Sequence, residues 1–288
     1  MSGDAVVSES VTAGTDMQGN ARKAHYTLRH RMIASLSQRL DGITYTQRHG
    51  LIRGMRRRGG LGFLPAIFTG RTHNTPEHRF LESLDLRDKI VYEVGAFQGL
   101  LTLFFSSRAA EVIAYEPNPP SYERVLENLR LNRRGNVRLR QLAVGDRPGA
   151  LTLLTDPLMP GGASADPQVS DQIRSSVATI TSVTVPVVTL DEDIRASQLP
   201  RPDFIKIDIE GMELPALKGM ISTLRQHFPE LYIEMHGATI EQKDENVRAV
   251  VRFLSDAGYG RILHVESGTM VTPANATTAR RGHLYCRR

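Results

Sequence analysis

The sequence predicts an α/β protein, a mostly parallel sheet with helices on both faces. Three observations carry this. From about residue 76 short β-rich runs alternate with helical patterns, as in βαβ units. The first run passes into a helical pattern through a glycine turn, Gly95-Ala96-Phe97-Gln98-Gly99. The last two runs have no helical pattern between them, so they can pair antiparallel at the end of the chain.

The elements follow in order. Residues 1–20 are small and polar without a period, and a disordered tail is expected. Residues 21–75 read as a basic, partly helical extension. Leu28, Met32, Ile33, Leu36 and Leu40 recur at spacings of three and four, which predicts an amphipathic helix ending near Asp41-Gly42. A Gly- and Arg-rich connector follows, and the main domain is expected over 76–288. Its strands are KIVYEVG (89–95), EVIAYEP (111–117), VRLRQLAVGD (137–146), DFIKIDIEG (203–211) and ELYIEMHG (230–237). Helical patterns fall at 99–108, 120–132, 212–226 and 241–257. GALTLLTD and SVTVPVVTL read as strands around a Pro/Gly/Ser-rich insert, 156–182, expected to be a long surface loop. RILHVESG (261–268) and GHLYCRR (282–288) make the terminal pair.

Composition narrows the class. Of 288 residues 40% are hydrophobic, enough for one sizeable core. A single cysteine, Cys286, excludes an internal disulfide and suggests a reducing, cytoplasmic setting. No apolar run approaches the roughly 18 residues of a membrane span. The N-terminus has neither a secretory nor a transit-peptide pattern. Residues 1–75 hold eleven Lys/Arg against four Asp/Glu, while the rest hold 25 against 27. The basic character therefore belongs to the N-terminal segment. It could meet nucleic acid, anionic lipid, an acidic substrate or a partner, or be a solvated face.

The first turn suits a charged cofactor. Glycines between strand and helix let a backbone pass close to a ligand, and the helix start offers free N–H groups. The spacing is G-x-x-x-G, not G-x-G-x-x-G, which weakens a dinucleotide reading. Glu93, just before the turn, would repel a diphosphate and attract an ammonium group. Glu116 ends the next strand, 17 residues after Gly99, where a doubly wound fold expects a carboxylate for ribose hydroxyls. A nucleoside joined to an amino acid without phosphate, S-adenosylmethionine, fits both. NPPSY (118–122) is similar to an aromatic-ended motif of DNA amino-methyltransferases, but it follows the second strand and carries Ser121 in the aromatic's place. Pro119 and Pro120 read as helix-start residues.

FIKIDIEGMELPALKG (204–219) carries the chemistry. Phe204, Lys206, Asp208 and Glu210 share one strand face, which becomes ionic toward its carboxyl end, where ligands sit in open α/β sheets. Glu213 falls in the next helix's first turn, where negative charge favours the macrodipole. Glu234 and His236 end the neighbouring run. Such a cluster can deprotonate a hydroxyl, hold a divalent metal through Asp208, Glu210 and Glu234, or pair internally with Lys206. Plainer roles are a structural ion pair for Lys206, a helix stabiliser for Glu213 and a capping or loop histidine for His236.

EVGAFQG, IAYEPNP, QLAVGD, VPVVTLDE, FIKIDIEGMELPALKG and ELYIE occur in the order and spacing of the FkbM family of methyltransferases, which the chain resembles over roughly 77–260. The resemblance implies a class I methyltransferase, Rossmann-like fold with a seven-stranded sheet whose last strand is antiparallel, preceded here by an N-terminal helical extension. It implies S-adenosylmethionine as cofactor and O-methylation of a sugar, glycan or natural-product-like hydroxyl. By the same resemblance Glu93, Gly95, Ala96, Phe97, Gln98 and Gly99 border the cofactor, Glu116 takes its ribose, and Ala143 and Val144 lie at its adenine. Asp208, Glu210, His236 and Lys206 are the expected catalytic residues, with His236 or Asp208 as base and Glu210 orienting it. A divalent metal is possible but not favoured. RNA or protein methylation through the basic arm, and a non-catalytic cofactor-binding scaffold, are the competing functions. The former lacks an aromatic stacking platform, and the latter has no need of costly ionic groups.

Overall fold

The computed structural model describes residues 40, 42–59, 75–156, 159–164 and 181–288. The helix expected over 21–40 lies almost wholly outside these, as does the tail 1–20. Strand β1 (Thr44–Thr46) pairs antiparallel with β2 (Arg56–Arg58), so the expected connector is partly a hairpin. Helix α1 (Pro76–Ser83) starts on Thr75, whose hydroxyl accepts from the His78 N–H, with Pro76 in the first turn where its missing N–H costs nothing.

The main sheet then builds through β3 (Ile90–Val94), α2 (Leu100–Ser106), β4 (Glu111–Tyr115), α3 (Pro119–Leu131) and β5 (Val137–Arg140). After an excursion it resumes with α4 (Leu190–Ala196), β10 (Phe204–Ile207), α5 (Glu213–Lys218), α6 (Ile221–His227), β11 (Glu230–Glu234) and α7 (Ile240–Asp256). It closes with β12 (Arg261–His264), β13 (Thr269–Val271) and β14 (His283–Arg287). The spatial order is β13-β12-β14-β11-β10-β3-β4-β5. Strands β11, β10, β3, β4 and β5 are parallel, and β14 slots between β11 and β12 antiparallel to both. This is the methyltransferase-like α/β arrangement, with the final strand reversed as expected. The sheet has eight strands and not seven, because β13 adds an antiparallel edge to β12.

The excursion is a second sheet. Strands β6 (Ala143–Val144), β7 (Gly149–Asp156), β8 (Met159–Ser164) and β9 (Thr181–Val188) pair in the order β6-β9-β7-β8. The expected single strand 137–146 therefore divides between two sheets. The insert is not all loop: 159–164 extends the β7 hairpin.

Two apolar clusters hold the layers. One joins the strands to α7, whose Val247, Val250, Val251 and Leu254 recur at helical spacing and are fully or almost fully buried. Each such side chain contributes roughly 1.5–3 kcal/mol on burial. A reciprocal cap between Thr239 and Gln242 starts that helix. The other cluster packs α2 and α3 on the sheet and includes Ile52 of the hairpin at 1% exposure. Cys286 is buried in the core. Among the described residues no helix is long and apolar enough to cross a membrane.

Candidate active site

The strand order turns outward in both directions from β3 and β10, so the carboxyl ends of these strands diverge into a crevice. A cleft of about 420 Å³ opens there. Gly95, Phe97, Glu116, Ala143, Val144, Asp208 and Glu210 line it, as the sequence suggested for a shared site. Glu93, Ala96, Gln98, Gly99, Lys206 and His236 are not in its lining.

Gly95 has φ 89°, and a Cβ there would lie 1.9 Å from the Asp208 carbonyl oxygen. The glycine is demanded by the crossing of two strand ends, not only by a ligand, which corrects the sequence argument. The Gly95 and Ala96 N–H groups both donate to the Tyr115 carbonyl at 3.0 Å. The Phe97 N–H donates to Glu116 Oε2 at 2.6 Å, and the Asn118 N–H to Oε1 at 2.9 Å. Glu116 is thus both cleft wall and loop anchor. Burial pushes its carboxyl up to about 7 against the pull of those two N–H groups. Phe97 sits at φ 49° with its side chain 42% exposed.

Glu93 is fully buried. Its Oε2 accepts from the Thr102 hydroxyl at 2.6 Å, and its Oε1 has no partner among the described residues. Burial raises its carboxyl to about 7, with the Lys206 charge pulling the other way. Lys206 Nζ donates to the Gly95 carbonyl at 2.7 Å and lies 3.1 Å from Asp208 Oδ2. Burial opposes its charge, but Asp208 and Glu93 outweigh that and hold its pKa above the usual value. Lys206 therefore clasps the cofactor-side turn to the acidic side. These contacts fit the structural ion pair named as its plainer role.

Past β10 the chain turns on Glu210 (φ 52°) and Gly211 (φ 100°). Glu213 is buried; its Oε1 accepts from the Gly211 N–H at 2.9 Å and lies 2.9 Å from His236 Nδ1. The other ring nitrogen, Nε2, lies 3.6–3.8 Å from Asp208, Glu210 and Glu234. Burial lowers the imidazole's pKa, but hydrogen bonds to Glu213 and Glu234 and the Glu210 charge push it up to about 11. A raised pKa favours the charged imidazolium, which weighs against His236 and toward a carboxylate as the base. Burial raises the Glu210 carboxyl, opposed by His236. Glu234 also reaches His283 at 3.5 Å, a ring stacked on Tyr232 and bonded to Glu266.

Asp208, Glu234 and His236 each offer an atom within 4.8 Å of the others, a spacing that could hold a metal ion. The ligand set considered from sequence had Glu210 in place of His236. The sequence reading missed Leu142, Arg147, Leu151 and Met212 in the cleft wall. The β7 and β9 runs were its signal, since a sheet folded beside the crevice must wall it.

A family model described as the methyltransferase FkbM domain matches residues 93–260. The hexuronic acid methyltransferase AglP of Haloferax volcanii is 29% identical over 170 residues, covering 59% of this chain and 63% of that protein. Methyltransferase 1 of Beauveria bassiana is 25% identical over 146 residues, covering 46% of this chain and 59% of its own. The alignments thus take in less than two thirds of these relatives. Among solved structures, a methyltransferase FkbM from Methylobacillus flagellatus is similar with a TM-score of 0.48 at 18% identity, over 77% of this chain and 50% of that one.

Proposed function

Since the family model takes in more than half of it, the chain belongs to the FkbM methyltransferase family, and from that premise we propose that it methylates a hydroxyl of a sugar, glycan or similar small molecule with S-adenosylmethionine as donor. One observation carries this reading. The cleft that joins the glycine turn and Glu116 also takes in Asp208 and Glu210 at the adjoining end of β10. A nucleoside seat and a proton-accepting lip therefore share one crevice.

The residues fit the cofactor. Glu116 ends β4 on the cleft wall, Ala143 and Val144 offer an apolar ledge, and the buried Glu93 oxygen without a partner leaves negative potential behind the turn. Bound there, the cofactor supplies an electrophilic methyl group on a sulfonium. What the chain must supply is orientation and a place for the acceptor's proton. Asp208, with one oxygen held by Lys206 at 3.1 Å, turns the other toward His236 Nε2 at 3.7 Å, where it can also meet the acceptor hydroxyl. Glu210, raised by burial, is the better base and takes the proton. The His236 imidazolium offsets the carboxylates around it. This assignment differs from the expectation of His236 or Asp208 as base with Glu210 orienting it.

The sugar reading draws on the relative named as a hexuronic acid methyltransferase. The Arg56–Arg58 run of the basic N-terminal segment is a strand engaged with α3. The test is incubation with methyl-labelled cofactor and fractionated cell extract. Label is expected in carbohydrate or small-metabolite pools. Label confined to RNA or protein would overturn the acceptor class, and none anywhere would overturn the activity.

A further inference from the structure

We infer that the N-terminal hairpin is a brace for the cofactor loop, in which Arg57 and Asn128 are positioning residues acting through Gln98. The inference rests on the reading of Gly95–Gly99 as that loop. Strand β2 runs along α3, and two asparagines one helical turn apart satisfy its backbone. Asn128 Oδ1 accepts from the Arg58 N–H at 2.9 Å. Asn132 Oδ1 accepts from the Arg56 N–H at 2.8 Å, and its Nδ2 donates to the Arg56 carbonyl at 2.7 Å. The helix side is fastened again by Arg58 to Glu127 at 2.8 Å and by Arg124 to the Arg58 carbonyl at 2.7 Å. Ile52, in the hairpin's connecting turn, is in the core.

The helix and the strand anchored on it each reach the loop once. Asn128, with no exposure, donates its Nδ2 to the Gln98 carbonyl at 2.9 Å. Arg57 alternates inward, is 6% exposed, and its Nη2 lies 3.3 Å from Gln98 Oε1. Gln98 is therefore gripped at main chain and side chain between Phe97 and Gly99, both at positive φ. A turn made of such residues has little local preference to hold it, so an outside grip sets its shape. A guanidinium stays charged at any working pH, and burying one is worthwhile where it fixes something.

The test is calorimetric titration of S-adenosylhomocysteine into the full chain, with melting of the ligand-free proteins alongside. Arg57→Ala is expected to weaken binding about ten-fold, the loss of one charge-assisted hydrogen bond. Gln98→Ala should do the same, and the double variant should bind no worse than Gln98→Ala alone. The melting temperature, by contrast, should fall with Arg57→Ala in both backgrounds. A merely structural Arg57 would not show that cancellation. Binding within two-fold of the native chain for Arg57→Ala, or losses that multiply in the double variant, would overturn the inference. Should Arg57→Ala not fold, Arg57→Lys keeps the charge but not the planar fork, and unchanged binding by it is equally fatal. If the native chain itself gives no heat, the cofactor reading falls and takes this one with it. Native heat with an indifferent Arg57 sinks only the brace.

Discussion

Lys206→Met tests how the two halves of the site are joined. The lysine is 95% buried as a side chain and touches the Gly95 carbonyl and Asp208, with Glu93 close enough to bias its charge. Methionine fills most of the volume but leaves three groups without their cation. Breaking a buried pair costs about 3–5 kcal/mol in general. Asp208 is 30% exposed and recovers water, and Glu93 can take a proton, which places the expected loss near the low end, about 3 kcal/mol. At about 2–4 °C per kcal/mol for a domain of this size, melting should drop by roughly 6–12 °C. The pH dependence is the sharper mark. The native Glu93 carboxyl sits at about 7, and losing Lys206 moves it higher. A raised carboxyl stabilises the fold below its ordinary pKa, and that contribution is lost as pH rises through the folded value. The variant's deficit should therefore grow by about 1 kcal/mol between pH 6 and pH 8. Calorimetric melting of both proteins at the two pH values measures this. A drop under about 2 °C, or a deficit indifferent to pH, would refute the clasp.

Other perturbations follow from the same geometry. His236, pushed up to about 11, should show no ring titration by NMR between pH 5 and 9, and a midpoint near 6.5 would restore it as a base. His283 is pushed up to about 9 and His236 to about 11, so the stability they lend is complete below about 6.5 and should fade on an alkaline denaturation series through those values. A flat alkaline limb would contradict both environments. Phe97→Asn places a residue tolerant of φ 49° at the loop and should raise the melting temperature while weakening S-adenosylhomocysteine, because the ring leaves the cleft wall. A fall in melting temperature would show that the phenylalanine is not strained. Leu254→Ala, from a fully buried site on α7, should cost about 2–5 kcal/mol in a denaturant titration, and under 1 kcal/mol would mean that face is not core.

The parallel sheet was legible because strand and helix periods alternate over 90–140 and again over 203–257. The reversed last strand was legible because nothing between RILHVESG and GHLYCRR could cross over as a helix. The ionic end of β10 could be read from period two alone. The hairpin could not: TYT and RRR are short, and an arginine strand has no apolar face to announce it. What fixes it is Asn128 and Asn132, side chains 70 and 76 positions away from the residues they hold. The split of 137–146 between two sheets was hidden in the same way, since Ala143 and Val144 pair with Val187 and Val188 far along the chain. The shift of His236 was not legible, because Glu213 and Glu210, which raise its pKa, come from another strand end. Gly95 was assigned to a ligand when the nearer demand is the Asp208 carbonyl, a contact between strands that only the folded chain reveals.

The most direct measurement of the account is the rate at which labelled methyl enters an alkali-stable linkage, compared between the native chain and Glu210→Gln. Methylation of a hydroxyl gives an ether that survives mild alkali, and loss of the base should slow its formation about 10²–10⁴-fold. Label released by alkali as a carboxyl ester, or a Glu210→Gln enzyme as fast as the native one, would contradict it.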